Sequence, residues 1–318
     1  MPYFGLQIPS FTFPGVPTNR LFDRLADIAV TAEKAGFNSV TVMDHLYQIP
    51  AVGPRTDPMF ESYTLLAGIA ARTSRVRLGT LVTGVTYRNP ALLAKIVTTL
   101  DVVSSGRAIL GIGAAWHEEE HRGYGFDFPP VRERMDRLEE ALQICRAMFT
   151  QEAPSFEGRY YRIHEVLNSP RPVQPGGPSI LVGGNGEHRT LRLVARYADM
   201  CNVFGDVETL RHKMQVLARH CEAVGRDPKE IIKTALGILV IASTQAEAER
   251  KAAEYRAARR MDEARFRERV TFGDPETVAE KIRVYLDAGL DGLIFSMPDV
   301  QDLDPVAAAG EMFTKHFS

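Results

Sequence analysis

The chain has 318 residues, 45% hydrophobic and 25% charged, which suits one large α/β domain or two ordinary ones with a sizeable core. A formal net charge of -2 gives no electrostatic ground for a nucleic-acid or membrane-surface partner, and no apolar run approaches the ~20 residues of a membrane span. Met1-Pro2-Tyr3-Phe4-Gly5-Leu6 lacks the basic region and long apolar stretch of a signal peptide. Cys145, Cys201 and Cys221 form no CxxC pair, so free thiols in a reducing cytoplasm are expected.

Strand-like and helix-like segments alternate along the chain. Tyr3–Ile8 reads as a first strand. Thr18–Ala35 has helical apolar spacing (Leu21, Leu25, Ile28, Ala29, Ala32) and stops at Gly36. Ser39–Met43 is a second, β-branched strand, Glu61–Arg72 a helix and Val76–Thr83 a third strand. Pro90 opens the next helix, where its missing N–H is harmless, and Ala108–Gly113 is the fourth strand. Pro130–Met148 is helical, with Met135, Leu138, Ala141 and Leu142 on one side. The rhythm then breaks: Ser155–Val166 reads as a β-hairpin and a Pro/Gly-rich loop follows through Pro178. Strands Ile180–Gly183, Met200–Phe204, Ile231–Ala242 and Gly292–Ser296 follow, separated by helices Glu187–Tyr197, Val207–Val224, Gln245–Arg260 and Pro275–Ala288. A short C-terminal helix closes the pattern, and the charged stretch Ala246–Arg269 reads as a solvated face.

Eight strands with helices between them predict a parallel sheet closed into a (β/α)8 TIM barrel, a single domain over residues 1–318. A hairpin-containing insertion at about 150–178 interrupts it between strands 4 and 5. A doubly wound open sheet is the alternative, which requires a reversal of strand order.

Several segments carry chemistry-bearing residues. Asp44 and His45 follow the second strand, and in a parallel barrel that end of the strand is where ligands are handled. A carboxylate beside an imidazole there is a candidate acid/base station; the alternative is a turn with Asp44 capping backbone groups and His45 on the surface. His117-Glu118-Glu119-Glu120-His121 matches the HExxH pattern of zinc peptidases. Polar residues between the histidines, Gly123 and Gly125 soon after, and no evident third ligand favour an exposed acidic first helical turn instead. Gly183-Gly184-Asn185-Gly186 ends the fifth strand and opens a helix, a setting in which backbone N–H groups can approach an anion; a plain glycine-rich turn is the alternative. Leu81 and Val82, at the mouth of the third strand, could form a flat wall behind an aromatic ring or simply end a buried strand.

Taken in order, these segments resemble the luciferase-like monooxygenase superfamily, and within it the oxidoreductases that use the deazaflavin coenzyme F420. The resemblance rests on Met43-Asp44-His45, on Gly79–Pro90, on Leu100-Asp101 and on Ser105–Gly113. It continues through Phe128–Arg134, Ile180–Gly186 with Ala198-Asp199, and Gly273–Ala279.

The resemblance implies a (β/α)8 barrel with an insertion and a deazaflavin at its C-terminal mouth. It implies a cis peptide at Leu81–Val82 backing the ring, with Thr80, Leu81, Val82, Gly113 and Ala114 at the cofactor and Asp44 and His45 beside it. His45 is then the proton donor or acceptor for hydride transfer at C5, Asp44 orients that imidazole or contacts the ring, and Gly183, Gly184, Asn185 and Gly186 face the phosphate tail. Some relatives carry a catalytic glutamate where this chain has Trp116, which is expected to wall the substrate pocket instead. The residues that hold a sugar phosphate in the glucose-6-phosphate dehydrogenases of the group are not recognisable. The loops Pro9–Pro17 and Gln48–Phe60 point to an apolar small-molecule substrate, and the family's habit points to a homodimer. The rivals are an FMN-dependent monooxygenase of the same superfamily using reduced flavin and oxygen, a zinc hydrolase, and a cofactor-binding protein without turnover.

Overall fold

A computed structural model describes all 318 residues. Eight parallel strands close on themselves: β1 (Tyr3–Ile8), β2 (Ser39–Val42), β3 (Arg77–Thr80), β4 (Ala108–Gly113), β5 (Ser179–Gly183), β6 (Met200–Val203), β7 (Ile232–Ile241) and β8 (Gly292–Ser296). Each pairs with its sequence neighbours, and closure comes from β8 beside β1, with Tyr3 opposite Gly292. The doubly wound alternative is therefore excluded, because no strand order reverses. The helices α1 (Leu21–Lys34), α2 (Ser62–Ala70), α3 (Pro90–Val103), α4 (Glu118–Tyr124), α5 (Val131–Thr150), α6 (Thr190–Tyr197) and α7 (Val207–Ala223) lie in the crossovers. They are followed by α8 (Gln245–Ala258), α9 (Glu263–Arg269), α10 (Pro275–Asp287) and α11 (Asp304–Phe317). None is long and apolar enough to cross a membrane.

Period-two alternation splits each strand between two cores. Leu81, Ile109, Leu181, Met200 and Ile294 fill the barrel interior, with Tyr3, Val82, Ile232 and Leu236 packed against them. The opposite faces (Phe4, Leu6, Val40, Leu110, Ile180, Phe295) join the helices in one continuous outer core. The three cysteines are free and buried, and burial pushes the Cys145 and Cys201 thiols up to about 12. Asn89 caps α3 through its side chain with Pro90 as first helical residue, and Gly36 takes a left-handed φ of 88° just past α1.

Three elements depart from the sequence reading. The third strand does not run unbroken to Thr83: it stops at Thr80, and Thr83–Gly84 pairs separately with Ile112 and Gly113. A strand unforeseen in the sequence, Val270–Gly273, extends the sheet beside Ile238–Ile241, so the second half of β7 runs on past β8 and packs with Ala252 of α8, Phe266 of α9 and Val270. The C-terminal helix is not short; it has 14 residues and stacks Phe313 on Phe4 at 3.8 Å. Between β4 and β5, the expected hairpin is a minimal antiparallel pair, Phe156–Glu157 with Arg162–Ile163.

Candidate active site

The residues singled out in the sequence converge on the C-terminal mouth of the barrel. Asp44 is 3% exposed, and both its oxygens are spoken for. Arg88 forks onto them, Nη1 to Oδ2 at 2.6 Å and Nη2 to Oδ1 at 3.1 Å, and the Ser62 hydroxyl donates to Oδ1 at 2.7 Å. Arg88 also donates to Glu61 at 2.6 Å and lies over the Tyr63 ring. Burial opposes the Arg88 charge, but the Asp44 carboxylate more than offsets it and holds the guanidinium protonated beyond its usual range. Burial pushes the Tyr63 hydroxyl up, and it is hydrogen-bonded to Thr83 at 2.7 Å.

Asp44 therefore does not orient His45; a different carboxylate does. Nδ1 of His45 lies 2.7 Å from Oε1 of Glu120, a residue with no exposed surface. Tyr87 donates its hydroxyl to the same oxygen, and the backbone N–H groups of Leu46 and Tyr47 donate to Oε2 at 2.6 and 3.2 Å. Burial alone would raise the Glu120 carboxyl, but the His45 and Tyr87 donors and the Leu46 N–H outweigh it and hold it at about 2. An ionised carboxylate only accepts, so the imidazole proton belongs on Nδ1. The protein bonds the ring through Nδ1 alone. Burial, reinforced by the Glu120 charge, raises Tyr87 well above the normal phenol range, so it remains a donor.

Glu120 is the third glutamate of the HExxH run, which the sequence reading takes as an exposed turn. Glu118 and Glu119 do fit that reading, pairing at the surface with Arg122 and Arg55. Glu120 and His121 do not, since α4 turns that face inward. His121 is held at both nitrogens, Nε2 to Thr86 Oγ1 at 2.6 Å and Nδ1 to the His117 carbonyl at 2.7 Å, and its ring stacks on Tyr87. The run thus works as a brace: His121 ties α4 to the loop after β3, and Glu120 ties it to the loop after β2. Sequence reasoning missed Glu120, because nothing in the sequence separates it from Glu118 and Glu119 until the short helix is oriented with Glu120 and His121 inward. Trp116 stands beside the pair, 58% exposed, with its ring centroid 5.4 Å from that of His45 in an edge-on arrangement.

The wall that continues from this side, after β3 to β5, is built around glycine. The Leu81–Val82 peptide is cis, and the Leu81 carbonyl accepts from Gln7 Nε2 at 3.1 Å. A Cβ on Gly111 would stand 1.9 Å from the Thr80 carbonyl, and one on Gly183 would stand 2.8 Å from Val82 Cγ1. One on Gly113 would meet Val82 Cγ2 at 3.0 Å, so side chains there would displace the Leu81–Val82 bulge. The Thr80 hydroxyl is committed to the Gly111 carbonyl and to Thr83, and the Ala114 carbonyl accepts from Arg134. In the turn after β5, Gly184 takes φ 136°. Asn185 clamps the next loop, donating to the Phe204 carbonyl at 2.6 Å and accepting from its N–H at 2.9 Å. The nearly buried Lys213 donates to the Asn185 carbonyl, while the N–H groups of Asn185, Gly186 and Glu187 have no acceptor in the protein.

A parallel barrel with an anchored imidazole at its mouth, beside a glycine-lined wall, defines a class of site before any comparison. The chain belongs to the luciferase-like monooxygenase family, whose model matches residues 3–292. It is 32% identical over 300 residues to an F420-dependent glucose-6-phosphate dehydrogenase of Kineococcus radiotolerans, covering 86% of this chain and 87% of that one. The counterpart in Nocardia farcinica, of the same name, is 32% identical over 305 residues, covering 86% and 88%. Among solved structures, the coenzyme F420-dependent tetrahydromethanopterin reductase of Methanopyrus kandleri superposes with a TM-score of 0.82 at 20% identity, covering 100% of this chain and 99% of that one.

Proposed function

We propose that this protein is an F420-dependent oxidoreductase that transfers a hydride between the deazaflavin C5 and a small organic substrate, with His45 giving or taking the accompanying proton. The observation that carries the reading is the His45–Glu120 pair: a buried carboxylate fixes the imidazole proton on Nδ1 and leaves Nε2 as the acid/base atom at the mouth. The named F420 dependence of relatives that share 32% identity across most of the chain supports the coenzyme.

The residues present fit such a group. The glycine contacts that let the Leu81–Val82 bulge lie flat against β4 and β5 suit a planar ring, and the free N–H groups of Asn185, Gly186 and Glu187 suit an anionic tail. When bound, the coenzyme supplies the two-electron chemistry; positioning falls to the protein. Leu81 and Val82 would back the ring, Asn185 fixes the turn that would face the tail, and Trp116 stands beside His45 at the mouth. In the oxidising direction Nε2 of His45 takes the hydroxyl proton of the substrate, with the resulting imidazolium stabilised by Glu120; in reverse it returns that proton. Asp44 supports this indirectly, by anchoring with Arg88 the loop that starts at the end of β2. We place the protein in the cytoplasm as a homodimer.

Fluorescence titration of the purified protein with F420 and with FMN tests the reading. Saturable F420 binding with weak or absent FMN binding is the expected result. Tight FMN binding without F420 binding would replace it with the FMN-dependent monooxygenase. F420 binding with no reaction dependent on His45 in a screen of alcohols and carbonyl compounds would reduce the protein to a cofactor carrier.

A further inference from the structure

The mouth holds one cation that the fold leaves without a partner. Every other buried or half-buried arginine donates to a protein acceptor; Arg77, Arg107, Arg134 and Arg146, for example, bond to Ser179, Val76, Ala114 and Asp199. Arg269 is half-buried and has neither a hydrogen-bond acceptor nor an acid within ion-pair reach. Its guanidinium lies over the Phe204 ring, 4.9 Å from the centroid. Phe204 directly follows β6 in register with the inward-facing Met200 and Asn202, which puts its ring at the rim of the mouth, and Asn185 clamps its backbone. Arg269 ends α9 directly before the strand Val270–Gly273, with its carbonyl beside Gly237 of β7. In the closed order of eight strands, β6 lies opposite β2, so this rim faces His45 across the opening.

A guanidinium that has lost part of its hydration and gained no acceptor is unfavourable in the free protein. Burial disfavours its charge, and of its neighbours Glu268 and Tyr255 favour that charge while Arg265 opposes it. Stacking on Phe204 holds the planar fork in place and leaves its edge N–H groups available. Such a preset fork matches the two oxygens of a carboxylate or a phosphate.

We propose that Arg269 receives an oxyanion of the substrate, so that the substrate spans the mouth with its acidic end on the Phe204 rim and its reacting carbon near His45. This rests on the reading of the mouth as the reaction site. It replaces a purely apolar substrate with an amphiphilic one: an apolar body against Leu81, Val82 and Trp116, and a terminal acid.

Calorimetric titration of the F420-loaded protein with benzoate, phenyl phosphate and benzamide tests the assignment, in wild type, Arg269→Gln and Arg269→Lys. At least one anion is expected to bind wild type about tenfold or more tightly than Arg269→Gln, the difference of one charge-assisted hydrogen-bonded pair. The lysine variant, with charge but no fork, should fall between them, and the uncharged benzamide should not distinguish the three. The preferred anion identifies the acid as carboxylate or phosphate. Equal anion binding by wild type and Arg269→Gln, or none by either, overturns the proposal. An F420 affinity that drops in Arg269→Gln without any change in anion binding also overturns it, assigning the arginine to the coenzyme's tail. If wild type binds no F420, the functional reading fails on its own, and the same titrations on the cofactor-free protein still decide the anion site. Matching thermal unfolding curves exclude misfolding; if Arg269→Gln does not fold, a loss of about threefold or more in Arg269→Lys carries the test, since an ammonium cannot reproduce the bidentate geometry.

Discussion

Two halves of the mouth begin at adjacent residues and end in different states. On the Asp44 side, both oxygens of the buried carboxylate are bonded to Arg88 and Ser62, Arg88 also bonds to Glu61, and Tyr63 closes with Thr83. On the His45 side, Glu120 is equally saturated by four donors, yet the imidazole it holds is bonded at one nitrogen only. A closed network adds rigidity, whereas a network with one open valence adds chemistry. Adjacency in sequence suggests that Asp44 and His45 work on each other. Their geometry ties the first into the scaffold and leaves the second bonded at one nitrogen, with the other the atom the proposed reaction would use.

Substitutions on the two sides should therefore fail in different ways. The largest effect on turnover is expected from His45→Ala, a loss of about 10²–10⁴-fold, the range a positioned acid/base group supplies. Its unfolding midpoint and F420 affinity should stay near wild type. A loss of F420 binding instead would make His45 a ligand contact and remove the contrast. Asp44→Ala should show the opposite profile. It leaves the Arg88 charge nearly buried with only the half-exposed Glu61, and about 3–5 kcal/mol of stability is expected to go. Urea unfolding measures that loss, and the surviving folded fraction should keep a large share of its activity per molecule.

How far this contrast was legible in the sequence depended on the length scale of the signal. The barrel was readable because β-branched runs such as Ser39–Met43 alternate with helical spacing and with punctuation such as Gly36 and Pro90, all local properties. His45 was readable from its place after a strand. The carboxylate that serves it was not, because Glu118, Glu119 and Glu120 are chemically identical and only the orientation of a seven-residue helix separates them. The partners of Asp44 and Glu120 lie 44 and 75 residues away, and nothing in either segment announces the pairing. Val270–Gly273 escaped for a different reason. Four residues between a charged helix and the Asp274–Pro275 cap are too few to show alternation, and the strand exists because the second half of β7 offers an edge.

Glu120→Gln tests the His45 side more finely. With Gln oriented to accept from Nδ1, its NH₂ group meets the Leu46 and Tyr47 donors; flipped, it meets the imidazole N–H. Either way a buried donor loses its acceptor, so a cost of about 2–3 kcal/mol is expected. Turnover should fall with it, because the tautomer is no longer fixed. Nitrogen NMR of labelled histidine should show the His45 proton confined to Nδ1 in wild type and shared between nitrogens in the variant. Acid should reveal the same group. The folded carboxyl, held at about 2, lies below its ordinary value of 4.5, so on acidification the unfolded chain takes up the proton first. This contribution is complete above about pH 4.5 and is lost as pH falls towards 2. Unfolding free energies from urea titrations between pH 7 and pH 3 should drop by on the order of 2 kcal/mol more in wild type than in Glu120→Gln. Equal drops would mean that Glu120 is not held ionised, and the tautomer assignment would fall with it.

Tyr87→Phe is the mildest step along the same axis. It removes one of the four donors on Glu120, leaves the two backbone N–H groups and Nδ1 in place, and keeps the ring stacked on His121. The expected loss is about 1.5 kcal/mol of stability, the low end for a hydrogen bond to a charged group, since the carboxylate keeps its other partners. A fewfold drop in turnover, with the His45 tautomer unchanged by NMR, would show that Glu120 acts through its bond to the imidazole and that Tyr87 only helps to keep the carboxylate charged. A drop as large as that of His45→Ala would make the Tyr87 hydroxyl a second proton-handling group. The open valence would then belong to a Tyr87–Glu120–His45 chain, and the division between a closed side and a reactive side would have to be redrawn to include the loop after β3.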